Sequence, residues 1–122
     1  MVESIVKKKS YDFALRIMKL YLFLNDKKHF EIANQIVRTG TGIGSNVEEA
    51  LAGFSKKDFT AKMSIASKES RETNYWLRLI RDSGLVRPKQ VELLLLESET
   101  LIKILTSIVK TSSARNKITT KH

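Results

Sequence analysis

The sequence holds no cysteine, one proline, five glycines and two histidines in 122 residues. Without cysteine there is no disulfide framework, no thiolate nucleophile and no zinc site built on sulfur, and a reducing compartment suits the chain. So little proline and glycine cannot supply the turns that an all-β sandwich or barrel needs every 8–12 residues or so. No run approaches the roughly 18 apolar residues of a membrane helix, and the start MVESIVKKKS carries too short an apolar segment for a signal peptide. These absences lead to the expectation of a soluble cytoplasmic protein.

What is present is charge of one sign. Twenty-two Lys and Arg face 13 Asp and Glu, a formal +9. The excess gathers at the ends: Lys7, Lys8 and Lys9 precede the first apolar pattern, and Lys110, Arg115, Lys117 and Lys121 follow the last without an intervening acid. Such ends read as basic arms that either solubilise the protein or bind phosphates. They carry no broad apolar face for a lipid surface. Hydrophobic residues make up 42% of the chain, enough for one core, and the length suits one domain over 1–122, with a basic segment 1–9 and a fraying tail 112–122.

Helical periodicity organises the interior. Phe13, Ile17, Leu20 and Leu24 mark a first helix from Tyr11, with Ser10 as its cap. Phe30, Ala33, Val37, Gly40, Gly44, Val47, Leu51 and Phe54 keep three-four spacing through TGTGIGS, flanked by Ile36, Ile43 and Ala50. The spacing predicts one long second helix, weakened or kinked between Thr39 and Ser45, with Gly40 and Gly44 placed for close helix packing. Ser55 followed by Asp58 predicts the start of a third helix, whose stripe is Phe59, Met63, Ala66, Ser70, Thr73, Leu77 and Ile80. Gly84 stops it and Pro88 opens a fourth, striped by Val91, Leu94, Leu95, Ser98, Leu101, Ile102, Leu105, Ile108 and Val109. Four helices with short connections predict an all-α, antiparallel up-and-down four-helix bundle.

No reaction chemistry emerges from the pattern. Gly40, Gly42 and Gly44 fail the dinucleotide fingerprint, since Ser45 stands where a glycine is needed and no strand precedes them. Glu48, Glu49, Glu69 and Glu72 lack the histidine partners of a bundle metal site, and neither histidine accompanies a nucleophile motif. The expectation is a non-enzyme with no metal, cofactor or small-molecule substrate. Adjacent Tyr75 and Trp76 diverge by about 100° on a helix, so one of them is assigned to an oligomer contact, with nucleobase stacking as the other use.

The stretch QIVRTGTGIGSNVEEALAGFSKKDFTAKMSIASKESRETNYWLRLIRDSGL resembles the 23S ribosomal RNA intervening-sequence protein family. The resemblance centres on Ile43, Ser45, Asn46, Val47 and Glu49, the Asp58-Phe59 start, Ser64-Ile65-Ala66, and Glu72 in RETNYWLRL. It departs from many relatives at Gly44, where they carry proline, and at Glu48. It implies an antiparallel four-helix bundle assembled as a homopentamer, akin to accessory proteins of diversity-generating retroelements that bind reverse transcriptase and nucleic acid. Arg38, Asn46, Glu49 and Glu72 match polar positions of that pattern, none of them catalytic. The functional expectation is phosphate contact with RNA or an RNA-protein assembly through Lys7, Lys8, Lys9, Arg115, Lys117 and Lys121. The alternative is a protein-interaction scaffold without nucleic acid.

Overall fold

A computed structural model describes the backbone of residues 1–120 and the side-chain surroundings of residues 1–116. The described residues form four helices, α1 (Val2–Asp26), α2 (Phe30–Ala52), α3 (Lys56–Asp82) and α4 (Lys89–Thr120). Each packs on its neighbours in sequence, and α4 closes the ring onto α1. This is the expected all-α four-helix bundle, with short connections dictating antiparallel neighbours.

The connections follow from local chemistry. Ser55 adopts extended backbone and its hydroxyl accepts the Asp58 amide at 3.0 Å, satisfying one orphan donor at the start of α3. Gly84 takes φ +78° after the last turn of α3, the left-handed geometry that glycine tolerates best. Pro88 immediately precedes α4, where a missing N–H loses no helical bond.

The α1–α2 seam is built for close approach. A methyl placed on Gly40 would stand 2.8 Å from Cγ1 and Cγ2 of Ile17, and one on Gly44 would stand 3.3 Å from the Ser10 carbonyl oxygen. Buried hydroxyls line the same interior without being orphaned. Ser10 donates to the Lys7 carbonyl (3.1 Å), Thr39 to Gln35 (3.1 Å), Ser70 to Ser67 (2.7 Å), Thr73 to Glu69 (2.7 Å) and Ser98 to Leu95 (2.8 Å). Each group is satisfied within its own helix, so small polar residues occupy core positions without a desolvation penalty. The slimmer α1–α4 seam is clamped by Arg16, whose Nε donates to Glu97 Oε1 at 2.8 Å while Nη2 meets Oε2 of the same carboxylate.

Three expectations are corrected. First, α1 begins at Val2: residues 2–9 are helical, and Ser10 is a fully buried mid-helix residue. Ser10 and Val6 simply continue the Phe13–Ile17 stripe one turn and two turns earlier, a continuation that the three lysines mask. Second, α2 is the one long helix expected, helical through Thr39–Ser45, but its inward face differs from the predicted stripe. Its buried stripe is Ala33, Ile36, Gly40, Ile43, Gly44, Val47 and Ala50, while Phe30 and Leu51 are exposed and Phe54 lies beyond the helix end. Two heptad frames share Ala33, Gly40 and Val47, and the frame with the isoleucines faces the core because it buries more apolar surface. Third, α4 continues through 112–120, and Ser112 is buried.

Candidate nucleic-acid interface

Antiparallel packing brings distant cations to one end of the bundle. A cavity of about 380 Å³ is bordered by Val2 and Glu3 of α1, Lys56 and Phe59 of α3, and Ile108 and Arg115 of α4. The beginnings of α1 and α3 and the second half of α4 therefore meet here. From Thr100 onward α4 carries Lys103, Lys110 and Arg115 with no acid, whereas its first half holds Glu92, Glu97 and Glu99. Together with Lys7, Lys8, Lys9, Lys56, Lys57 and Lys62, the second half of α4 makes this end a positive pole, although Glu3, Asp12, Glu48, Glu49 and Asp58 also lie there.

The geometry splits the predicted lysine run. Successive residues on α1 diverge by about 100°, so Lys7, Lys8 and Lys9 point in three directions and present no single cationic edge. Lys8 pairs with Asp12 at 2.9 Å, and its ammonium holds the Asp12 carboxyl below the usual carboxylate range. Lys9 borders a small cavity with Leu96, Glu97 and Thr100 on the α1–α4 seam. Arg115 faces the end cavity. The Lys117 side chain and Lys121 lie outside the described residues.

Arg71 and Lys103, which the charge runs at the ends did not single out, join Lys110 of the C-terminal run on one surface. Arg71 of α3 donates to Thr106 Oγ1 at 2.7 Å, and with Lys103 and Lys110 it borders a shallow groove of about 650 Å³ between α3 and α4. Among the described residues, no acid lines this groove. Ser107 and Thr111 belong both to the groove and to the end cavity, so the two depressions adjoin. The signal for Lys103 and Lys110 is their seven-residue separation, two turns that place both on the outer face of α4.

The family-pattern residues do something else. Arg38 donates to Glu72 Oε2 (3.1 Å) and to Gln35 Oε1 (2.9 Å), and Trp76 Nε1 donates to the same Glu72 oxygen at 3.1 Å. Asn46 donates to the Gly42 carbonyl at 2.8 Å, and Glu49 pairs with Lys62 at 3.5 Å. These contacts join or brace α2 and α3. Glu69 sits in the same seam against Gly42 with Oε2 buried and without a partner, and desolvation raises its pKa against the pull of Arg38. Trp76 packs against the core, while Tyr75 stays 47% exposed and meets the Trp76 ring edge-on at 5.1 Å. Among the described residues, no three His, Asp or Glu side chains gather as metal ligands, and no helix is long and apolar enough to cross a membrane.

Large apolar side chains remain in solvent on all four helices, Leu79 of α3 and Leu93 and Leu96 of α4 among them. Tyr11, Leu15, Met18 and Leu22 form a stripe along the outer side of α1, between 42% and 61% exposed. Phe54, in the turn between α2 and α3, is fully exposed.

A family model described as 23S rRNA-intervening sequence protein matches residues 2–107. A solved structure from Bacteroides thetaiotaomicron, described as a protein with unknown function from the S23 ribosomal protein family, is 43% identical. The alignment covers 90% of this chain and 99% of that one with a TM-score of 0.85. No curated protein matches the chain.

Proposed function

The chain belongs to the 23S rRNA-intervening sequence protein family, and within that family we propose that it is a non-enzymatic, cytoplasmic RNA-binding bundle acting through phosphate contacts at its positive pole. The observation that carries this reading is the convergence of Lys56, Arg115, Lys103 and Lys110 on one end and one face, with the acids of α4 confined to its other half. Cations set in adjoining concavities attract a polyanion more strongly than the same charges dispersed on solvated tails. The contacts are to phosphates, so binding is tolerant of base sequence and steeply weakened by salt.

Self-association belongs to the same reading. The Tyr11–Leu22 stripe of α1 and the exposed Tyr75 and Leu79 of α3 supply apolar surface for contacts between copies. A homopentamer presents five positive poles and five times the +9 of one chain, a formal +45. Several weak phosphate contacts on one RNA then act together. The same stripe is what favours the second reading, a scaffold that binds only proteins. Affinity capture of the tagged chain from cells, with and without RNase, separates the two. Partners lost on RNase treatment support RNA binding, whereas an unchanged set of partners supports the scaffold.

A further inference from the structure

The turn between α2 and α3 contains an aromatic residue out of place. Ser55 is the N-cap of α3 and Phe59 is the fourth residue of the helix, so Phe54 holds the position from which a hydrophobic residue usually folds down onto the helix as a staple. Here the staple is open. Phe54 is fully exposed, while Phe59 is partly buried against the core, and both rings line a depression of about 390 Å³ that also includes Lys56 and Leu51. An apolar ring that has a local partner and a helix-start signal to guide it, yet stands in solvent, is available for a planar ligand.

Its surroundings indicate which ligand. Lys56 and Lys57 follow it after Ser55 in sequence. Lys56, Glu3 and Phe59 border both this depression and the end cavity, and the end cavity shares Ser107 and Thr111 with the acid-free α3–α4 groove. Three depressions thus adjoin one another in a row, with Glu3 the one acid along it among the described residues. The row runs from Arg71, Lys103 and Lys110, past Arg115 and Lys56, to the open ring of Phe54. A groove of cations leading to an exposed aromatic is the arrangement by which single strands are held, phosphates on the cations and an unpaired base on the ring. A duplex keeps its bases stacked inside and has no base to offer the ring.

We propose that this path binds single-stranded RNA, with the backbone along the α3–α4 groove and one unpaired base stacked on Phe54 over the Phe59 side of the turn. The inference rests on the RNA-binding reading above and specifies its site and substrate class. A protein occupant is less suited to a ring whose depression also takes in the charged side chains of Lys56 and Glu3, because interface cores are depleted of charge.

The test uses the full chain and a fluorescein-labelled decauridylate, read by anisotropy, with a blunt RNA duplex of equal length as comparison. Phe54→Ala removes no core contact, so its melting temperature stays that of the unaltered protein. Its affinity for the decamer falls about 5- to 140-fold, the size of one base-aromatic stack. Phe54→Trp retains binding, and the duplex is indifferent to both changes. Lys103→Gln with Lys110→Gln flattens the log-log salt slope by about 1.4, from two lost contacts at about 0.7 each. Unaltered protein that binds the decamer while Phe54→Ala and the paired lysine variant bind equally well overturns the proposed path and leaves the RNA reading standing. A change in oligomer size on Phe54→Ala, with RNA affinity kept, assigns the ring to a copy of the chain and also overturns the path. No binding by the unaltered protein at about 50 mM salt, where the electrostatic attraction is strong, overturns both.

Discussion

Replacing Gly40 with alanine tests the packing of α1 on α2 with one methyl group. The new Cβ would lie 2.8 Å from both Cγ1 and Cγ2 of Ile17 and 3.1 Å from Cδ1. Ile17 is fully buried and belongs to the central cluster, so it has little room to yield. Such overpacking costs about 1–3 kcal/mol. Removing a glycine from a helix interior returns about 0.5–1 kcal/mol. The net expectation is a loss of about 0.5–2 kcal/mol, and Gly40→Leu loses about 3 kcal/mol or more because further carbons must be housed. Gly42→Ala is the internal comparison. Its methyl would meet only the carboxylate end of Glu69, at 3.2 Å from Oε2, which can swing outward, so the helix gain prevails and stability is unchanged or raised. Thermal and urea unfolding at fixed protein concentration measure all three. The cause is isolated by adding Ile17→Ala, which alone costs about 2–5 kcal/mol. In the Gly40→Ala background that cost shrinks by at least about 0.5 kcal/mol, since the alanine methyl occupies vacated space. Equal stabilisation by Gly40→Ala and Gly42→Ala, or strict additivity with Ile17→Ala, would refute the reasoning.

Further outcomes follow from other contacts. Glu97→Ala breaks the forked bridge to Arg16 across the slimmer seam and lowers stability by about 1 kcal/mol, discounted because the Arg16 side chain is 41% exposed; Glu97→Gln, which keeps one acceptor, loses less in the same unfolding assay. Glu69 has a folded pKa raised by burial, so its ionised form opposes folding: relative to Glu69→Gln, the unaltered protein gains stability as pH falls from neutrality through the raised pKa toward the ordinary carboxylate range, and a parallel pH profile for the two contradicts this. Leu15→Glu with Met18→Glu charges the outer α1 stripe and shifts sedimentation toward monomer while the helical circular dichroism is kept. Lys7→Gln, Lys8→Gln and Lys9→Gln combined weaken RNA binding less than Lys103→Gln with Lys110→Gln, because one of the three is tied to Asp12 and the three diverge around α1.

The helices were legible where one periodic frame stood alone. Every core position of α3 from Met63 to Ile80 followed from spacing, as did the Ser55 cap and the Gly84 stop. Legibility failed where two readings satisfied the same rule. The α2 stripe admits two interlocked heptads, and only the neighbouring helices decide between Val37 and Ile36 or between Leu51 and Ala50. At the start of α1, lysines hid a pattern that Val6 and Ser10 carry alone. The positive pole was half visible. Arg115 was placed by its acid-free surroundings in sequence, but Lys56, Lys103 and Arg71 are distributed over two helices and become one surface only when α3 and α4 pack. Phe54 was read as the last rung of the α2 stripe, although Gly53 before it and Ser55 after it both mark the helix boundary that sets it free.

The central claim is that an acid-free groove and its adjoining end cavity hold RNA by phosphates, and the salt dependence of single-strand binding tests it most directly. Five cations, Arg71, Lys103, Lys110, Lys56 and Arg115, border the groove and end cavity. If each neutralises one phosphate, the logarithm of the binding constant falls against the logarithm of salt with a slope of about −3.5 per site, alike for different base sequences. A flat slope, or no binding at about 50 mM salt, contradicts the account and leaves the apolar stripe of α1 as the surface that defines what this bundle does.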